Sequence, residues 1–158
     1  MKTPNIGLNE KELFGSAEIL NRLLSDEFLL YTKTRNYHWN VTGPRFNDLH
    51  KFFESLYEQL DEVMDNVAER VRYLGFYSFG TTAQFVKMAR IQENIGDIPD
   101  ENGMLQSLLN DQETIIRHIR LDIDTVIEKY HDAGTSDFLT GIMEIHEKIA
   151  WLLRSYLQ

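Results

Sequence analysis

The stretch NYHWNVTGPRFNDLHKFFE, residues 36–54, sets His38 and His50 twelve positions apart on either side of a Gly-Pro bend. Imidazole is the commonest protein ligand for transition metals. Glu54 stands four positions after His50, one helical turn away, so those two side chains can share an ion. A second pair at the same spacing, Asp65 and Glu69, follows. Imidazole mixed with carboxylate and no sulfur suits Fe(II), Mn(II) or Zn(II). The chain has no cysteine, which removes disulfides, thiolate nucleophiles, Fe–S clusters and thiolate zinc sites.

The two pairs cannot meet within one helix. Glu54 and Asp65 are eleven residues apart, so about 16 Å along the axis, whereas metal–ligand bonds are about 2 Å long. A two-fold axis removes the difficulty. If two copies of the helix cross antiparallel near residues 59 and 60, His50 and Glu54 of one copy face Asp65 and Glu69 of the other. An isologous contact then builds two equivalent sites. His38, returned by the bend toward the start of the next helix, can complete the histidine-rich half.

The elements that must hold these residues are helical. Asn9 and Glu12 resemble a capping box, so a first helix is expected from about Glu10 to Tyr37. Gly43 and Pro44 break it. A second helix fits Phe46 to Tyr73, stopped by Gly75. With His50 at zero and 100° per residue, Leu49, Phe53, Leu56, Leu60, Val63, Val67, Val71 and Leu74 gather between about 220° and 300°. The stripe between about 0° and 120° holds His50, Glu54, Glu58, Asp61, Glu62, Asp65 and Glu69, and no lysine or arginine occurs between Glu54 and Glu69. A solvated face normally mixes signs to form i,i+4 pairs, so this one calls for a cation.

Residues 76–101 form a connector in which TTAQFVKMA fits a short helix and GDIPDENG a loop. A third long helix is expected over about Met104–Tyr130. A fourth reaches about Leu157, with Thr135 as its N-cap and Ser136 and Asp137 in its first turn. No alternating strand pattern and no repeat occurs. Four long helices with a crossing connection describe an all-α, up-down-down-up bundle of ferritin type, with a short extra helix in the long connection between helices two and three.

The bulk numbers bound the partners. At 158 residues one domain, 1–158 with a short N-terminal arm 1–8, is expected. The net charge of -9 opposes general affinity for nucleic acid or anionic membrane. No run approaches the ~20 apolar residues of a membrane span, and MKTPNIGLNEKELFG lacks the core of a signal peptide. A cytoplasmic protein is expected.

YHWNVTGPRFNDLHKFFESLYEQLDEVMDNVAER strongly resembles the Dps-type mini-ferritins, named for the DNA-binding protein from starved cells. The family pattern is matched by His38, Trp39, Asn40, His50, Glu54, Asp65, Ala68, Glu69 and Arg70. The closing TSDFLTGIMEIHEKIAWLLRSYL resembles the family's last helix, so residues about 9–157 are covered. The resemblance implies a hollow homo-dodecamer with a ferroxidase site of two irons at each dimer interface. His38, His50 and Glu54 come from one subunit there, and Asp65 and Glu69 from its two-fold mate. It also implies oxidation of Fe(II), preferentially by hydrogen peroxide, storage of ferric oxide in the cavity, and protection against oxidative damage. Glu54 is a departure, since many members carry Asp at that place.

Several residues carry two readings. Trp39 either gates the site or intercepts an oxidising equivalent, or it is a packed core or interface indole. Arg70 either steadies a ligand carboxylate or makes an intersubunit salt bridge. Asp137 resembles the acid lining the family's three-fold iron-entry channel, and otherwise favours the helix dipole. Asp132 is a weaker pore candidate, and Ala133 stands where some members have a further pore acid. Glu58, Asp61 and Glu62 are candidates for attracting iron. His118, His131 and His146 are expected at the surface or in packing. A DNA-compacting stress protein with secondary ferroxidase activity is the rival reading. DNA-binding members usually carry lysine-rich tails, while only Lys2 precedes the first helix here, so weak or no DNA binding is expected.

Overall fold

Asn9 starts the first helix as its spacing predicts. Its carboxamide oxygen accepts the Glu12 N–H at 3.0 Å, and Glu12 accepts the Asn9 N–H in return at 2.8 Å. The computed structural model describes residues 3–93 and 95–158; Lys2 and the start of the expected arm 1–8 lie outside them. The elements are α1 Glu10–Asn40, α2 Phe46–Tyr73, the short α3 Thr82–Met88, α4 Glu101–Tyr130 and α5 Ala133–Tyr156. Among the described residues there is no strand. The chain is the expected all-α, ferritin-like four-helix bundle with a short helix in its long connection. No described helix is long and apolar enough to cross a membrane.

The apolar stripe of α2 is the core face: Leu49, Phe53, Leu56, Leu60, Val63, Val67, Val71 and Leu74 are all buried. Helix α1 packs along α2 and α4, and α4 along α5. Each such Leu or Phe taken from water contributes about 1.5–3 kcal/mol, so register along α2 is strongly held. Gly15 lets α1 approach the end of α4, where a Cβ would stand 2.2 Å from the Tyr130 ring. Gly75, at φ 89°, ends α2 as expected.

Two helix starts differ from expectation. Helix α4 begins at Glu101 rather than near Met104, because the Asp100 carboxylate accepts the Gly103 N–H at 2.8 Å. Helix α5 begins at Ala133, with Asp132 and not Thr135 as N-cap: the Asp132 carboxylate accepts the Thr135 N–H at 2.9 Å. Asp137 therefore lies beyond the first turn, and it is exposed.

Charged side chains also sit inside the bundle. From the connector, Arg90 reaches Asp26 on α1 through Nε at 2.7 Å and Asp122 on α4 through Nη1 at 2.7 Å. Burial raises the Asp26 pKa, and Arg90 opposes that rise without cancelling it. His146, fully buried, lies between Glu27 and Gln112 at 2.8 and 2.5 Å. It is a packing residue, as expected. His131 is exposed and ends α4 in the left-handed region. His118 is half-buried, with its pKa lowered by burial and by Arg90.

Candidate metal centre

The bend between α1 and α2 brings the two expected histidines into contact. Their rings stack at 3.8 Å between centroids and 19° between planes. His38 Nδ1 lies 2.8 Å from the His50 carbonyl oxygen, and His50 Nδ1 lies 2.9 Å from that of His38. A carbonyl only accepts, so each Nδ1 donates its hydrogen, and in the neutral ring Nε2 carries the lone pair. That reciprocal lock sets orientation and tautomer together, as backbone carbonyls do for metal-binding histidines.

A residue at the start of α4 pins the bend. Glu101 accepts the Arg45 N–H at 2.9 Å and the Arg45 Nε at 3.0 Å. Gly43, at φ 119°, has no side chain to obstruct it; a Cβ there would meet Glu101 Oε1 at 2.7 Å. The charge-assisted pair ties the loop between the two histidine-bearing helices to the start of α4.

Glu54 lies one turn below His50 and is half-buried. The Tyr57 hydroxyl donates to its Oε1 at 3.2 Å. The Tyr57 ring meets His38 edge-on at 5.2 Å, and the Arg35 guanidinium stands 4.4 Å over it. Burial and the Glu54 hydrogen bond raise the Tyr57 pKa, so the phenol stays a donor. Asp65 and Glu69 are exposed further along α2. The Tyr73 hydroxyl donates to Glu69 Oε2 at 3.1 Å, and that bond raises the Tyr73 pKa.

The structure thus joins His38 to His50, with Glu54 beside them through Tyr57, and leaves Asp65 and Glu69 apart. Among the described residues no three His, Asp or Glu side chains converge on a metal position within one chain. Among them, too, none of Glu54, Glu58, Asp61, Glu62, Asp65 or Glu69 forms a salt bridge. Beside that stripe runs an open groove whose floor includes Phe28, Met64, Ala68 and Phe85. Unpaired acid at this density is a cation-attracting surface.

Other expected residues fall differently. Trp39 is 64% exposed, with Arg35 5.3 Å over its ring, so within the chain it is not a core indole. Arg70 steadies neither Glu69 nor any other residue of the acidic stripe. It donates to the Thr135 hydroxyl and stands 3.6 Å from Asp132 Oδ1, a salt bridge inside the chain. Asp132 is 3% exposed, its carboxylate already taken by the cap and Arg70. That leaves Asp132 a weaker pore candidate than the exposed Asp137. Tyr57 at i+3 from Glu54 and Tyr73 at i+4 from Glu69 are helical-neighbour spacings that point to these contacts, whereas Glu101 carries no local signal.

Comparison with known proteins decides the family. The ferritin-like domain family matches residues 17–158. A DNA protection during starvation protein of Bacillus anthracis is 34% identical over 89% of this chain and 94% of its own length. The chain belongs to the ferritin-like Dps family. An uncharacterized low temperature-induced protein of Nostoc is 46% identical over 98% of this chain and 86% of its own length. The crystal structure of a Dps protein from Vibrio cholerae, described as a member of a broad superfamily of ferritin-like diiron-carboxylate proteins, superposes with a TM-score of 0.91. It is 30% identical and covers 100% of this chain and 98% of that one. Membership supports a mini-ferritin role and iron as the metal.

Proposed function

We propose that this single ferritin-like domain is the subunit of a mini-ferritin that oxidises Fe(II) at di-iron sites shared between two copies. His38, His50 and Glu54 come from one copy, and Asp65 and Glu69 from the two-fold mate. The observation that carries this is the pair of locked histidines, His38 at the end of α1 and His50 near the start of α2, with Asp65 and Glu69 too far along α2 to join them. The groove beside the acidic stripe is where the second copy would pack.

The chemistry follows from the ligand set. Oxygen and imidazole ligands bind Fe(II) without holding Fe(III) so tightly that it cannot pass on. Two Fe(II) held together supply the two electrons that hydrogen peroxide needs: two Fe(II), one peroxide and two protons give two Fe(III) and two waters. No one-electron reduction to hydroxyl radical intervenes. The ferric product collects as oxide in the cavity of a closed assembly, for which twelve subunits is the family's arrangement, and iron is cleared from solution under oxidative stress. Glu58, Asp61 and Glu62 draw cations toward the site, and exposed Asp137 is the remaining entry-channel candidate. Trp39, beside the histidines, is placed to intercept a stray oxidising equivalent. With a charge of -9 per chain, DNA is repelled.

The test mixes two disabled proteins. Neither His50→Ala/Glu54→Ala nor Asp65→Ala/Glu69→Ala oxidises Fe(II) when peroxide is added after anaerobic loading. After dissociation and random reassembly at equal amounts, half the dimers pair one of each, and each such dimer has one complete site of two. About a quarter of the parent's ferric absorbance then returns. No recovery in mixed, fully assembled particles would place the site within one chain.

A further inference from the structure

Each half of the split centre ends in a carboxylate that accepts a hydrogen bond from a tyrosine one turn further along α2. Tyr57 donates to Glu54 Oε1 at 3.2 Å and Tyr73 to Glu69 Oε2 at 3.1 Å. In each pair one carboxylate oxygen is occupied and the other is left for an ion. The Tyr57 ring cannot swing freely. His38 lies against it edge-on at 5.2 Å, Tyr31 at 6.2 Å, and the Arg35 guanidinium 4.4 Å above it. A donor held by packing holds its acceptor in turn.

Side-chain length makes the Tyr57 contact specific. An aspartate at position 54 would be shorter by one carbon–carbon bond, about 1.5 Å. Drawing back that far from a 3.2 Å contact takes the oxygen beyond hydrogen-bond reach. Glutamate at 54 and tyrosine at 57 therefore operate as a unit, the phenol restraining the extra rotatable bond that the longer acid introduces.

We infer that Tyr57 and Tyr73 are positioning residues, each holding one terminal carboxylate of the shared centre so that a single oxygen faces the metal, and that Tyr57 is coupled to Glu54 specifically through its length. This rests on the proposed shared site. Loss of such a partner weakens metal binding about tenfold or more while leaving every direct ligand in place.

Anaerobic titration with Co(II), read by calorimetry and by the ligand-field absorption bands, tests it without catalysis. Tyr57→Phe and Tyr73→Phe are each expected to bind about tenfold more weakly and with altered band shape, in particles of parental mass. Tyr31→Phe, in the same aromatic cluster but with its hydroxyl accepting from Arg35, is expected to match the parent. Glu54→Asp/Tyr57→Phe is expected to bind no more weakly than Glu54→Asp alone. Parental affinity and bands in both single phenylalanine variants overturn the inference, as do independent, multiplying effects of the two substitutions at 54 and 57. If the parent binds no Co(II) that His50→Ala removes, the shared site itself fails and this inference goes with it. Parental Co(II) binding lost in His50→Ala but untouched in the phenylalanine variants refutes the tyrosines alone.

Discussion

Replacing Arg90 by methionine isolates what the buried charges do. The substitution keeps most of the side-chain length and removes the cation between Asp26, whose side chain is fully buried, and Asp122, about a tenth exposed. Deleting one partner of a buried pair costs about 3–5 kcal/mol, because the remaining charge is uncompensated. In the parent, burial already raises Asp26, so the folded state binds more protons than the unfolded one just above the ordinary carboxylate value of 3.8. Stability then declines as pH climbs through that interval and levels off above the folded pKa. Without Arg90 the interval widens upward. The variant should therefore lose about 4 kcal/mol at neutral pH and less in acid, where Asp26 takes up its proton. Urea unfolding at fixed protein concentration, repeated across that range, reads the difference. An equal loss at both ends, or a loss under about 1 kcal/mol at neutral pH, would refute the account of Arg90 as the counter-charge.

Other perturbations probe separate links. Glu101→Ala releases the bend that holds the histidines and should weaken Co(II) binding about tenfold, measured by calorimetry, with the helical circular dichroism retained. Gly15→Ala puts a Cβ 2.2 Å from the Tyr130 ring and should lower stability by about 1–3 kcal/mol in urea, a loss that Tyr130→Ala partly masks in the double variant. Asp132→Ala removes the α5 cap and should cost about 1–2 kcal/mol, while Asp132→Asn, which still caps, should cost less. A gel shift at low salt should show no retarded DNA.

Much of this was legible in the residues, and the failures share a cause. The second helix was bounded correctly at Phe46 and Tyr73, because a turn signal flanks each end and the apolar period never slips between them. The start of α4 differs from its local pattern because Gly103 and Pro99 make GDIPDENG read as loop; the first turn is held by Asp100 and by the distant Arg45–Glu101 contact. Thr135 and Asp132 are both good caps by type, and Arg70, 62 residues before Asp132 in sequence, is what holds Asp132 in place. The histidine spacing pointed to a metal, but the reciprocal Nδ1 bonds depend on the angle of the bend, which no local pattern encodes. Local chemistry was readable, and contacts between distant elements were not.

The division of the centre between two copies has a thermodynamic consequence beyond geometry. In the proposed assembly a metal ion that binds the completed site binds the dimer and not the separated chain, so it must favour association by RT ln(1 + [M]/Kd) per site. An isologous contact completes two sites at once, doubling that bias. Conversely, the six unpaired acids on α2 repel their counterparts across the seam until cations arrive, since like charges face each other with no lysine or arginine between them. Metal-free subunits should therefore associate more weakly at low salt than at moderate salt, where screening replaces the ion. With the metal present that salt dependence should flatten. Sedimentation at several salt concentrations with and without Co(II) measures both effects. A salt dependence unaffected by the ion would mean that the acidic stripe lies away from the interface.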